Sequence, residues 1–198
     1  MDTNFEKSYT KENLMRAFAG ESQARNRYTF AAQKAKENNL HVIDAIFTFT
    51  AHQERAHAKV FYDFLKEQAG SNINVDGNYP VDIYDNVSEL LRSAQHNEFE
   101  EYENDYKKFA AIAKEEGFIG IYNIFDMIAN VEKTHGERFG HFADLLEQGK
   151  LFVSDIETSW VCLNCGHIYT GKEVPAICPI CKHDRGFFVR VELSPFGK

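Results

Sequence analysis

Two Glu-x-x-His words, Glu54 to His57 and Glu132 to His135, and two Cys-x-x-Cys words, Cys162 to Cys165 and Cys178 to Cys181, carry the most visible chemistry of this chain. On a helix, positions i and i+3 point the same way, so each Glu-x-x-His offers a carboxylate and an imidazole to one point. Two cysteine pairs joined by a stretch long enough for a hairpin make a tetrahedral four-sulfur site. Carboxylate oxygen with imidazole suits iron or manganese, and thiolate suits iron or zinc. The cysteine spacing does not separate zinc from iron, and structural zinc is the commoner occupant. Gly166 after one knuckle and Pro179 inside the other suit tight turns whose backbone N–H groups aim at sulfur, with Trp160 and Tyr169 packed around them.

A single Glu-x-x-His is usually a surface or capping feature. Here the motif sits inside a repeat: Ile43, Phe47, Glu54, His57, Phe61 and Phe64 recur at identical spacing as Ile121, Phe125, Glu132, His135, Phe139 and Phe142. Leu14, Ala17 and Glu21 recur in the same way as Leu91, Ala94 and Glu98. At about 100° per residue, Glu54 falls on the apolar stripe of Ile43, Phe47 and Phe61, and Glu132 on that of Ile121, Phe125 and Phe139. Glu21 shares a face with Leu14, Ala17 and Tyr28, and Glu98 and Glu101 share one with Leu91, Ala94, Phe109 and Ile112, while Glu100 and Glu103 point away. Five glutamates and two histidines are thus aimed into one core. Burying that many carboxylates is costly unless cations neutralise them. One Glu from each of two helices plus Glu-x-x-His from each of the other two is the ligand set of a two-metal bundle. His41, His52, His96 and His141 have no paired carboxylate in register and are expected to be solvated or hydrogen-bonded.

The elements that must position these groups are four segments of helical periodicity, roughly 11–38, 41–69, 87–116 and 118–148. Gly70, Gly117 and Gly149 stand where C-terminal caps belong, and Asn86 with Glu89 resembles a capping box. The stretch from Gly70 to Asp85 is long and poor in helix formers, the length needed to cross a bundle. The spacing predicts a mainly α protein: a ferritin-like four-helix bundle over residues 1–150, then a small β-rich metal domain over 151–198. A net charge of −8 with no concentrated basic segment argues against nucleic-acid and membrane-surface partners. No apolar run reaches membrane-spanning length, and no targeting segment is visible at Met1 to Lys7, so the expectation is a cytoplasmic protein in which paired cysteines mean metal rather than disulfide.

Gly20-Glu21-Ser22-Gln23-Ala24-Arg25, Glu54-x-x-His57, Glu98-x-x-Glu101 followed by Tyr106, Glu132-x-x-His135 and the C-terminal Cys-x-x-Cys-Gly and Cys-Pro-x-Cys together resemble the rubrerythrin family over nearly the whole chain. That resemblance implies two non-haem iron ions in the bundle and one iron in a rubredoxin-like four-cysteine site. It implies a peroxidase that reduces hydrogen peroxide in oxidative-stress defence, with electrons reaching it from a reduced nicotinamide through a separate reductase or rubredoxin-type protein. Glu54 and Glu132 would bridge the irons, Glu21 and Glu98 would be terminal ligands, and His135 would bind the second iron. Glu101 and His57 would alternate on the first, and Tyr28 and Tyr106 would hydrogen-bond ligand carboxylates. Within one chain the four-cysteine site is expected to lie beyond the end of the bundle, and a head-to-tail homodimer would bring it beside the other subunit's irons. Asn97 and Lys107 depart from the family pattern, which bears on the shape and mouth of the pocket. Two rivals share parts of this pattern: an iron-oxidising storage protein, which has no use for the cysteines, and a non-enzymatic bundle with structural zinc.

Overall fold

The computed structural model describes residues 4–194. Helices α1 (Tyr9–Glu37) and α2 (His41–Phe64) form one antiparallel hairpin, while α3 (Val87–Glu100), α4 (Tyr106–Glu115) and α5 (Ile119–Glu147) form the other. The first hairpin starts at a double cap. Ser8 accepts from the Lys11 amide at 3.0 Å, and the Glu116 carboxylate, at the far end of α4, accepts from the amides of Tyr9 and Thr10 at 3.0 and 2.8 Å. Asn86 caps α3 by accepting from Ser88, but Glu89 makes no return bond among the described residues, so the expected capping box is only half formed. Gly117 and Gly149 end α4 and α5 with φ of +89° and +67°, as the cap pattern predicts. Helix α2 stops at Phe64, short of the expected 69, and gives way to a 3-10 turn at Lys66–Gln68.

The predicted helix over 87–116 is interrupted. Residues Glu101–Asp105 form a π-helical turn, which places one extra residue between α3 and α4. The buried stripe of Leu91, Ala94 and Glu98 therefore continues as Tyr106, Ala110 and Ala113, and Phe109 and Ile112, expected on that stripe, sit only half buried beside it. In a regular helix Tyr106 would fall about 80° from Glu98, at the edge of that stripe.

Residues 70–85 have no regular structure but are pinned along their length. Asp76 pairs with Arg16 at 2.9 Å, Asp82 with Arg27 and with Asn97 at 2.8 Å, and Asp85 with Lys34 at 2.8 Å. The bundle core is split in two. One cluster, with Leu14, Phe61, Tyr106 and Phe125, fills the end where α1 begins, and the other, with Tyr28, Phe47, Leu91 and Phe139, fills the opposite end. Glu21, Glu54, Glu98 and Glu132 lie in the seam between them.

The remaining elements form a three-stranded antiparallel sheet, order β2-β1-β3, from β1 (Val153–Cys162), β2 (Ile168–Glu173) and β3 (Phe188–Arg190). It packs on the end of its own bundle. Leu151 and Val189 join the second core cluster, and the His41 ring stacks on Phe187 with centroids 3.9 Å apart. A Cβ at Gly186 would lie 1.9 Å from the Asn39 carbonyl oxygen, so only glycine permits this approach. Among the described residues no helix is long and apolar enough to cross a membrane.

Candidate metal centres

The four bundle glutamates in the seam and both motif histidines converge. Glu21, Glu54, His57 and Glu132 offer four ligand atoms within 4.8 Å of one another, and so do Glu54, Glu98, Glu132 and His135. Glu54 and Glu132 belong to both groups. His135 Nδ1 lies 2.8, 3.0 and 3.4 Å from oxygens of Glu132, Glu54 and Glu98, and His57 Nδ1 lies 3.0, 3.3 and 3.7 Å from oxygens of Glu132, Glu54 and Glu21.

Despite those distances, both carboxylate oxygens of Glu54 and of Glu132, one oxygen each of Glu21 and Glu98, and the Nδ1 atoms of both histidines have no aligned hydrogen-bond partner. Buried polar atoms are normally bonded. Here they face shared points rather than each other, which is how ligands are arranged around cations. The other oxygens of Glu21 and Glu98 are held from outside the cluster: Tyr106 Oη donates to Glu21 and Tyr28 Oη to Glu98. The two contacts are reciprocal, each tyrosine crossing to the glutamate of the other repeat. The π turn makes this possible, because the interval from Glu98 to Tyr106 is one residue longer than that from Glu21 to Tyr28.

Electrostatics lead to the same conclusion. Burial and then neighbouring carboxylates push the acids up, Glu98 to about 8 and Glu21 and Glu101 well above their usual value. Burial would also raise Glu54, but His135 and His57 outweigh it and hold it down at about 2. Burial opposes charge on the two histidines, yet their carboxylate neighbours prevail and push His135 up to about 12 and His57 well above its usual range. Two imidazolium ions do not balance this many carboxylates, and a pair of divalent cations would.

Glu101 stands apart. It opens the π turn, is only half buried, and belongs to neither four-atom group; it lines a cavity of about 910 Å³ shared with Gly20, Gln23, Tyr79, Asn97 and Tyr106. Asn97 lies in that wall and ties it to Asp82 of the crossover, whereas Lys107 lies over the Tyr102 ring at 4.2 Å. The crossover clamp of Arg27, Asp82 and Asn97 escaped the sequence reading, because a residue in an irregular segment has no periodicity to place it. His52, His96 and His141 are exposed, and His41 serves the contact with the sheet, 3.5 Å from Asp184.

The four thiols form a second cluster. Their sulfurs lie within 4.8 Å of one another, with Cys162 to Cys181 at 3.8 Å and Cys165 to Cys178 at 3.7 Å. The two knuckles share one pattern. Cys162 and Cys178 accept through their carbonyls from Gly166 and Lys182 at 2.8 and 3.0 Å, and donate from their amides to His167 and His183 at 2.9 and 2.8 Å. The residue after each pair takes a positive φ, +77° at Gly166 and +63° at Lys182. Trp160 is fully buried beneath the site, its indole N–H on the Gly171 carbonyl, and Tyr169 packs beside it. Burial pushes Cys162 up to about 12, and the His183 amide brings Cys181 down to about 5. A cation would hold all four as thiolates.

Family models match both parts of the chain: rubrerythrin over residues 12–143, and the rubredoxin-like domain of rubrerythrin over 160–189. Rubrerythrin-1 of Clostridium acetobutylicum is 42% identical, covering 90% of this chain and 92% of its own length. The rubrerythrin of Porphyromonas gingivalis is 40% identical over 95% of this chain and 92% of its own. Among solved structures, nigerythrin in a mixed-valence state superposes with a TM-score of 0.62 at 26% identity, covering 93% of this chain and 90% of that one. With both metal-ligand clusters and both family matches in place, the chain belongs to the rubrerythrin family.

Proposed function

We propose that this protein is a non-haem di-iron peroxidase that reduces hydrogen peroxide to water, residues 1–150 performing the reduction and 151–198 relaying electrons. The observation that carries this reading is the pair of four-atom ligand groups sharing Glu54 and Glu132, in a chain that also builds a closed four-thiol site. Glu54 and Glu132 would bridge two irons, with Glu21 and His57 on one side and Glu98 and His135 on the other. Two ferrous ions would supply the two electrons that, with two protons, convert one peroxide to two waters. Tyr28 and Tyr106 fix the terminal carboxylates from behind, and apolar clusters pack on either side of the seam. The cavity beside Glu101 is the peroxide's route, and Glu101, which lines it, would exchange with His57 as a ligand. The nigerythrin relatives include a fully reduced, all-ferrous state, which supports iron in this family of sites.

The cysteine module supplies single electrons, received from a nicotinamide-linked reductase or a rubredoxin-type protein. Its place on the bundle argues that it serves a second subunit. It is docked on the α1–α2 turn beside His41, and Glu54 lies roughly 20 Å further along α2 at 1.5 Å per residue. A head-to-tail homodimer would shorten that path. Mixing Cys162→Ser/Cys165→Ser subunits with Glu54→Ala/Glu132→Ala subunits should restore donor-driven peroxidase activity once chains exchange; no recovery despite proven exchange would mean each chain works alone. For the reading as a whole, anaerobically purified protein should hold three irons per chain and little zinc, and should consume peroxide at the expense of reductant. Zinc in the thiolate site, or iron without peroxide turnover, would refute it.

A further inference from the structure

Arg138 is a half-buried cation in the bundle, and among the described residues no carboxylate pairs with it. It sits on α5 one turn beyond His135, donating from Nη1 to Thr50 Oγ1 at 2.9 Å and to Gln53 Oε1 at 3.0 Å, both on α2. Phe49 lies 5.2 Å from the guanidinium carbon. Arg16, Arg27, Arg92 and Arg185 each pair with an acid, but among the described residues no carboxylate pairs with Arg138. Burying a guanidinium against neutral partners alone is unfavourable unless a more distant negative charge compensates. Thr50 and Gln53 stand one turn before and immediately before Glu54, so the guanidinium is anchored on the stretch of α2 that carries Glu54, and on α5 it lies one turn from His135. Burial holds the guanidinium below its usual value, and the charges of Glu98 and Glu54 offset that only in part.

We propose that Arg138 is a positioning residue whose fixed positive charge, anchored by Thr50 and Gln53, raises the reduction potential of the bundle metal pair. The inference rests on the di-iron reading given above. Each one-electron reduction of the pair adds one negative charge to a seam already rich in carboxylates, and a fixed cation alongside favours the more negative, reduced state. In a medium of effective dielectric about 20, two unit charges on the order of 10 Å apart change such a balance about tenfold.

Potentiometric titration of the iron-loaded full-length protein, following the bundle irons by their own absorption and the thiolate iron separately, is the test. Arg138→Gln should lower the reduced-to-oxidised ratio of the pair about tenfold at a fixed potential, about 59 mV per electron. Gln53→Glu, nearly isosteric, pairs the guanidinium without removing it and should produce a shift in the same direction. Arg138→Lys should stay near wild type, and the thiolate iron should not move in any variant. An unchanged potential in Arg138→Gln with full iron content overturns the proposal. So does a shift that Gln53→Glu fails to reproduce, or one that Arg138→Lys shares, since either assigns Arg138 to packing alone. Wild-type protein that binds no bundle iron refutes the di-iron reading instead, so the two failures are distinct.

Discussion

The carboxylate cluster gathers its atoms from every arm of the bundle, whereas the four thiols come from two adjoining turns between Cys162 and Cys181. In the first, shared bridging groups, two imidazoles and a half-buried Glu101 give more donors than two ions need, and a cavity of about 910 Å³ adjoins it. In the second, the two knuckles share the same pair of backbone bonds at their first cysteines, and the set has four ligands. Surplus ligands and an approach route suit a site where bonds are made and broken; a closed tetrahedral site suits electron passage without bond chemistry. The contrast also lies in how order is enforced. The bundle holds its ligands through long-range packing and two reciprocal tyrosines, the cysteine module through local backbone hydrogen bonds.

The largest expected effect separates the two regions outright. Glu54→Ala or Glu132→Ala removes a residue common to both ligand groups, so bundle iron and peroxidase activity should be lost while the thiolate iron stays at one per chain. Metal analysis and visible absorption check this, and full iron in either variant would show that the shared glutamates are not bridges.

Next is pH. In the metal-free chain the carboxyls of Glu21, Glu98 and Glu101 and both cluster histidines keep protons that the unfolded chain releases above about pH 4.5 and about pH 6.5 respectively. The folded state then binds more protons, so its stability falls as pH rises from about 5 to 8. Glu54, held at about 2, acts in the opposite sense only below about pH 4.5, outside that window. Chelated protein should unfold at lower denaturant at pH 8 than at pH 5.5, and the loaded protein should show a weaker trend because cations replace those protons. Greater stability of the chelated form at pH 8 would contradict the electrostatic account.

Much of the bundle site was legible because a straight helix has one period. Glu21, Glu54, Glu98 and Glu132 fell on apolar stripes and the structure buries all four. The arithmetic failed just past Glu101, since the π turn shifts the face by one residue and replaces Phe109 and Ile112 with Tyr106, Ala110 and Ala113. The lengthened Glu98–Tyr106 interval was the one trace of it in the sequence. The clamp of Asp82 and the cap by Glu116 depend on contacts between segments distant in sequence, which no periodicity encodes. The cysteine module, being local, was readable from spacing, apart from its docking through Gly186.

Two smaller effects sharpen the contrast between long-range and local order. Glu116→Ala removes the carboxylate that accepts from Tyr9, Thr10 and the Thr10 hydroxyl, and should cost about 1–2 kcal/mol of bundle stability with both metal sites still loaded. Denaturant unfolding measures it, and an unchanged midpoint would deny the long-range cap a role. Lys182→Gly makes the second knuckle match the first and relieves a positive φ at a side-chain-bearing residue, so it should stabilise the loaded module by about 0.5–1 kcal/mol, less whatever the Lys182 Nζ bond to Pro179 contributes. A lowered thermal midpoint would show that bond to be the larger effect.

The division between an open reacting site and a closed relay is tested most directly by mixing fully reduced protein with one equivalent of hydrogen peroxide per chain in a stopped-flow spectrometer. The account expects the bundle irons to oxidise first and the ferric tetrathiolate absorption to grow only afterwards, and to stay absent on that timescale in the Glu54→Ala/Glu132→Ala variant. Tetrathiolate absorption rising equally fast in that variant would mean that peroxide reacts at the cysteine site itself.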